Sequence, residues 1–383
     1  MKAGFLNAEI DMQNQKLPFV LEFSSDSESE GITGIKLHNG KEILDLDDFE
    51  RKGDSLILPL HIFDITLRAK ITETGLEGVY IKNYAKDYRL PFRAVYGSNK
   101  RMVKETSTDV FDGTYAVDFI DDQGNISKAI GIFERDQTVM RGTFLTPTGD
   151  YRYLDGYADD QKMTLYTYDG NHAFIFTAQR NDDGTLNGKF YSGKSWNESW
   201  IATPDENASL PDAYEMTYIK EGYDGVDFSF PDLNGNAVSP NDSKYQGKVL
   251  VLQIFGTWCP NCMDETRFFA DWYSKQDTEQ VEIIGLAYES KDDFEYAKSR
   301  VLKMKEKLNV PYDFVIAGTS SKQKASESLP MLSQVLSFPT TIFIDKKGEV
   351  RKIHTGFSGP ATGKYYTRYV EEFNILMNEL INE

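Results

Sequence analysis

The chain changes texture between residues 203 and 225, and that change limits it to two folds joined in one sequence. Before it, short alternating runs such as "SLILPLHIF" and "HAFIFTAQ" are broken by "DDQG", "TPTGD" and "NDDGT". Period-two alternation punctuated by turn chemistry describes antiparallel strands. After it, "KVLVLQIF" and "VEIIGLAYE" are continuous apolar runs, the kind of strand that is buried on both faces. "DDFEYAKSRVLKMKEKL" then carries Phe294, Ala297, Val301, Met304 and Leu308 on one helical stripe. "TTIFID" reads as a further strand, "KKGE" as a hairpin turn and "YYTRYVEEFNILMNELI" as a closing helix. The fold class expected is multidomain: an N-terminal antiparallel all-β region, then an α/β domain with helices on both faces of a central sheet. The boundaries are 1–205 for the β region, 206–222 for a linker within the two-proline stretch "TPDENASLPDAYEMTYIKEGYDG" (203–225), and 223–383 for the α/β domain.

The β region repeats itself. Leu76-Glu77-Gly78 lines up with Leu186-Asn187-Gly188 at an offset of 110. Tyr88, Phe92 and Ala94 line up with Trp196, Trp200 and Ala202 at an offset of 108. Two related β-meanders, about 1–100 and 101–205, are expected to close into a barrel or to pack as paired sheets. Their aromatics fall at strand spacing and are expected to fill a core rather than line a pocket.

Acidic residues outnumber basic ones by 60 to 42, a net charge of −18. A field of that sign repels phosphate backbones and argues against nucleic-acid partners. No run of eighteen apolar residues occurs, so no membrane-spanning helix is expected. The opening "MKAGFLNAEIDMQ" does not read as a signal peptide. The chain is therefore expected either to be cytosolic or to begin after an export signal has been removed. His38, His61, His172 and His354 are scattered away from the cysteines and offer no zinc set, and no cofactor is implied.

The two cysteines of the chain, Cys259 and Cys262, follow the strand "LVLQIF" through Gly256-Thr257-Trp258. Pro260 suits the first turn of a helix, where its missing N–H removes no helix bond. Cys259 is then expected at the helix N-terminus, where unpaired N–H groups and the macrodipole favour a thiolate. Cys262 lies one turn further in, within bonding reach and expected to be the more buried of the two. That asymmetry suits exchange: Cys259 attacks a partner disulfide and Cys262 resolves the mixed disulfide. The competing reading is a structural staple. A bridge closing four residues contributes only about 2 kcal/mol on the chain-entropy model, a poor return in a chain of this size.

This half resembles the thioredoxin superfamily, and within it the TlpA/ResA-like thiol–disulfide oxidoreductases of bacterial cell envelopes. The resemblance covers residues 223–383 and rests on "GVDFSFPDLNGNAVS", "FGTWCPNC", Glu265 three residues after the second cysteine, and "FPTTIFIDKKGEV". The β-then-thioredoxin order looks like envelope proteins of Bacteroidota. The resemblance implies that Pro339 is a cis proline facing the cysteines and pairing with a substrate strand, a turn proline being the alternative. It implies that Phe338 restricts approaching thiols, and that Trp258 and Pro260 neighbour the attacking sulfur, with core packing the alternative for Trp258. Many thioredoxins carry a buried acid six residues before the first cysteine; here that position is Gln253, which cannot titrate. Proton handling then falls to Glu265, unless it is merely an acid favoured in a helix first turn.

The function expected is reduction of disulfides in exported proteins, with a haem-attachment cysteine pair of cytochrome c as one substrate class. An upstream electron donor, disulfide-bearing protein partners and an envelope or periplasmic location go with it. Two other functions compete. An AhpC/TSA-like peroxidase shares the fold, but its PxxxTxxC pattern meets Leu252 and Gly256 at the proline and threonine positions. In the third reading the β region captures a partner and the redox domain is accessory.

Overall fold

The structure, a computed structural model, describes residues 1–26, 31–46, 48–101 and 108–383. It divides into two units: Met1–Phe144 with Tyr151–Ser209, and Leu145–Asp150 with Leu210–Glu383.

Turn residues set the hairpins of the first unit. Gln13 and Asn14, both at positive φ, join strands Gly4–Met12 and Gln15–Ser24, which pair in continuous antiparallel register. Gly4–Met12 also pairs with Arg89–Tyr96, the last strand of the meander Ile65–Ile71, Gly75–Lys82, Arg89–Tyr96. Together with the flanking strands this makes an open nine-stranded sheet.

The second sheet repeats the plan. Gly113–Ile120 pairs with Ile126–Asp136 on one side and with Trp196–Pro204 on the other, the last strand of the meander Ala173–Arg180, Leu186–Ser192, Trp196–Pro204. Lys162–Tyr168, Leu154–Ala158 and Val139–Thr146 follow, and Val139–Thr146 pairs back to Ile126–Asp136, closing eight strands into a barrel.

The two meanders match at the level of cross-strand pairs. Leu76 faces Ala94 and Gly78 faces Phe92; Leu186 faces Ala202 and Gly188 faces Trp200. The glycine is demanded by the aromatic, since a Cβ on Gly188 would lie 2.0 Å from the Trp200 indole. Phe92 and Trp200 are buried as the spacing predicts, and the barrel is filled by Phe119, Phe144, Phe176, Phe190 and Trp200. Trp196 departs from expectation: it is 55% exposed. It shares a strand face with Trp200 but stands at the first residue of its strand, beyond the edge of the packed interior.

In the second unit the apolar run becomes Val249–Phe255, the middle strand of a five-stranded mixed sheet. It runs parallel to Val281–Glu289 and antiparallel to Thr340–Ile344; Asp313–Thr319 and Val350–Thr355 form the edges. Every residue of Val249–Phe255 and of Val281–Glu289 is buried, which explains why neither alternates. Helix α1 (Pro260–Tyr273) follows the central strand, α2 (Phe294–Lys307) and α3 (Lys322–Ser328) flank Asp313–Thr319, and α4 (Lys364–Asn382) closes the chain. In α2 the predicted stripe is buried at Ala297, Val301 and Met304, while Phe294 and Leu308 at its ends are half-buried. Phe373 of α4 packs on Phe268, Phe269 and Trp272 of α1 and on Phe343 of the sheet. That aromatic layer fixes the helix that carries the cysteines. No helix among the described residues is long and apolar enough to cross a membrane.

Candidate active site at the strand–helix junction

The central strand ends at Phe255 and the chain turns through Gly256, where no side chain fits: a Cβ there would lie 2.2 Å from Nε1 of Trp258. Trp258 is held by its indole N–H, which donates to the Tyr288 carbonyl at 2.9 Å. Thr257 is held by Glu289, whose two carboxylate oxygens accept from its backbone N–H and its hydroxyl, each at 2.8 Å. These bonds deliver Cys259 to the N-cap of α1, in extended conformation at φ −101°, with Pro260 as the first helical residue. The Cys259 sulfur does the work of a capping oxygen, accepting from the backbone N–H of Cys262 at 3.1 Å.

Cys259 and Cys262 form a disulfide with their Cα atoms 5.2 Å apart. Cys262 is the more buried of the two, as expected, but the contrast is shallow: Cys259 is 5% exposed and Cys262 is fully buried. The reason is Phe338, whose carbonyl oxygen lies 3.3 Å from the Cys259 sulfur and whose ring packs edge-on to Trp258 at 5.5 Å. In the dithiol form the Cys259 S–H is placed to donate to that carbonyl.

The Phe338–Pro339 peptide is cis, and the Pro339 carbonyl accepts from the Gly356 N–H at 3.0 Å. The Phe338 carbonyl that meets the Cys259 sulfur therefore belongs to this cis peptide. Around it, the Ser337 hydroxyl donates to the Thr148 carbonyl at 2.6 Å and the Asn261 amide donates to the Asp150 carbonyl at 3.1 Å. The Asp150 carboxylate accepts from the Gly359 N–H at 2.7 Å. Thr148 and Asp150 belong to the short stretch Leu145–Asp150 that clusters with this unit, a placement 109 residues before Cys259 that no local sequence signal could announce.

Glu265 is the sixth residue of α1, past the first turn, so the helix-dipole reading of it fails. It is fully buried, with Thr341 Oγ1 at 2.8 Å from one carboxyl oxygen and the Gln253 amide N–H donating to the other at 2.9 Å. The Tyr369 hydroxyl is turned toward the same carboxyl without a well-formed hydrogen bond. Burial pushes its pKa up to about 7, and the three neutral neighbours only partly offset that. A carboxyl poised there exchanges protons near neutral pH, three residues along the same helix face from Cys262.

The AhpC/TSA family model matches residues 222–353. Thiol-disulfide oxidoreductase ResA of Geobacillus kaustophilus is 30% identical over 142 residues, spanning 37% of this chain and 73% of the relative. The chain belongs to the ResA-like thiol–disulfide oxidoreductases. Thiol:disulfide interchange protein DsbE of Haemophilus influenzae is 28% identical over 137 residues, 36% of this chain and 65% of that one. A solved thiol-disulfide oxidoreductase from Bacteroides fragilis aligns with 39% of this chain and 99% of its own, at 19% identity and a TM-score of 0.29. The match to the family model falls within the second unit, so this ResA-like protein carries its thioredoxin-like domain after an all-β region. It is an enzyme, a thiol–disulfide oxidoreductase.

Proposed function

We propose that this enzyme reduces disulfides of exported proteins in the bacterial cell envelope. The observation that carries the reading is the capped sulfur of Cys259 at the start of α1, opposite cis-Pro339. The Cys259 thiolate attacks one sulfur of the substrate disulfide, forming a mixed disulfide and expelling the other sulfur as a thiolate. Cys262 gives its proton to Glu265 and attacks Sγ of Cys259. The second substrate sulfur leaves and takes up a proton, and Cys259–Cys262 remains as the disulfide. Two electrons have passed to the substrate, and an upstream dithiol donor restores the pair. Phe338 and Trp258 narrow the approach to Cys259, while the backbone next to the cis Phe338–Pro339 peptide meets an extended substrate segment. Haem-attachment cysteines of a cytochrome c are one substrate class that fits.

We place the β region, residues 1–205 in two related repeats and followed by the 206–222 linker to the thioredoxin-like domain, in the role of recruiting or positioning the partner. The test is a Cys262→Ser trap in the full chain, which should accumulate partners as mixed disulfides at Cys259. Absence of any such adduct, with Cys259 fully reactive toward a small disulfide, contradicts the reading. Removing residues 1–100 should lower turnover on a trapped native partner and spare turnover on a small disulfide; equal effects on both contradict recruitment.

The match to the AhpC/TSA family model favours a second reading, peroxide reduction. Peroxide consumption that survives Cys262→Ser would support it.

A further inference from the structure

Besides the Tyr369 hydroxyl of α4, which faces the carboxyl without a well-formed hydrogen bond, the two oxygens of Glu265 have unlike neighbours. Oε2 receives an N–H of Gln253 at 2.9 Å, and Oε1 lies 2.8 Å from the Thr341 hydroxyl. An amide N–H donates whatever the charge of its partner, whereas a hydroxyl can donate or accept.

The orientation of the Gln253 amide is set at its Glu265 end, because an ionised carboxylate oxygen can only accept. The amide N–H group also lies 3.1 Å from the Thr266 hydroxyl oxygen. Its carbonyl oxygen accepts from the hydroxyls of Tyr312 and Thr266, each at 3.2 Å. Turned over, the amide would set oxygen against oxygen whenever Glu265 is ionised. Gln253, Thr266 and Glu265 are fully buried and Tyr312 is 1% exposed, so no water competes for these bonds. A carboxylate at position 253 would instead stand against Glu265 as a like charge, and the two acids would titrate as a coupled pair.

We propose that Gln253 is the positioning residue of the proton-transfer step: it holds Oε2 of Glu265 as a permanent acceptor and confines the exchangeable proton to Oε1, facing Thr341. The inference rests on the reading of Glu265 as the proton acceptor for Cys262. When Cys262 loses its proton to Oε1, the Thr341 hydroxyl turns from donor to acceptor. The Cys262 sulfur bonds to Sγ of Cys259, the substrate thiolate departs, and the proton passes from Oε1 to that thiolate or to solvent. Throughout, the Gln253 bond to Oε2 stays in place.

The experiment follows the carbonyl band of protonated Glu265 by infrared difference spectroscopy against pH, with Glu265→Gln identifying the band. In the wild-type full chain the midpoint should lie at about 7. Gln253→Met keeps the length and removes the donor, and should raise the midpoint by about one pH unit, a tenfold gain in proton affinity. Tyr312→Phe removes the hydroxyl that anchors the amide without touching Glu265, and should move the midpoint the same way by less. A midpoint unchanged in folded Gln253→Met overturns the proposal; if that variant does not fold, an unchanged midpoint in Tyr312→Phe does. Should the midpoints move as stated while Glu265→Gln leaves the pH profile of mixed-disulfide resolution unchanged, Gln253 still positions Glu265, and it is the assignment of Glu265 to Cys262 that fails.

Discussion

The backbone N–H of Cys262 points at the sulfur of Cys259 across 3.1 Å, so the attacking sulfur is also the cap of the helix that holds its partner. One atom both ends a helix and does chemistry. In the thiolate, that N–H and the other free donors of the first turn stabilise the charge.

Capping and chemistry separate by substitution. Cys259→Ser should abolish turnover yet keep a good N-cap, while Cys259→Ala loses both. With the wild-type disulfide reduced as reference, urea unfolding should find the alanine variant less stable than the serine variant by about 1 kcal/mol. Equal stabilities would show that the cap contributes nothing.

Mixed-disulfide resolution should accelerate as pH rises through about 7, because ionised Glu265 is the form that accepts a proton. Stopped-flow release of a substrate thiol gives the profile, and Glu265→Gln should flatten it. Stability runs the other way. The folded pKa lies above the usual 4.5, so the folded state binds the proton more tightly, and stability present below pH 4.5 is lost as pH rises toward 7. Glu265→Gln should remove that loss, read as urea midpoints at pH 4.5 and 8.

His354 has the opposite sign. Burial lowers its pKa from 6.5 to about 4, so the unfolded chain binds this proton more tightly. Its contribution to stability is complete above pH 6.5 and is lost as pH falls toward 4. Difference urea midpoints between wild type and His354→Gln over pH 4–7 isolate it; a pH-independent difference would contradict the assignment.

Gly188→Ala should destabilise the barrel by about 1–3 kcal/mol, because its methyl would enter the Trp200 ring, with fluorescence of that tryptophan as the local readout. Catalysis on a small disulfide should be unchanged.

What the sequence revealed followed the range of the forces involved. Strand and helix periods are local, so Val249–Phe255, α2 and α4 were legible, and the Leu–Ala and Gly–aromatic spacings announced the matching meanders. The cysteine spacing with Pro260 placed Cys259 at a helix start. Non-local partners were not legible. Glu289 reaches Thr257 from another strand, Thr341 and Tyr312 meet Gln253 and Glu265 only after the sheet is assembled, and Thr148 and Asp150 arrive from far upstream. Gln253 was legible as a position that cannot titrate; that it grips the acid one helix away required the fold. The shallow burial contrast between the two cysteines likewise depends on Phe338, 79 residues after Cys259.

The most direct test of the account is the reduction potential of the Cys259–Cys262 pair, measured by equilibration with glutathione or dithiothreitol. A reductase of envelope disulfides should poise it in the reducing range of thioredoxin, about −270 mV. A value near that of a strong protein oxidant, about −120 mV, would contradict the direction of electron flow proposed for this enzyme.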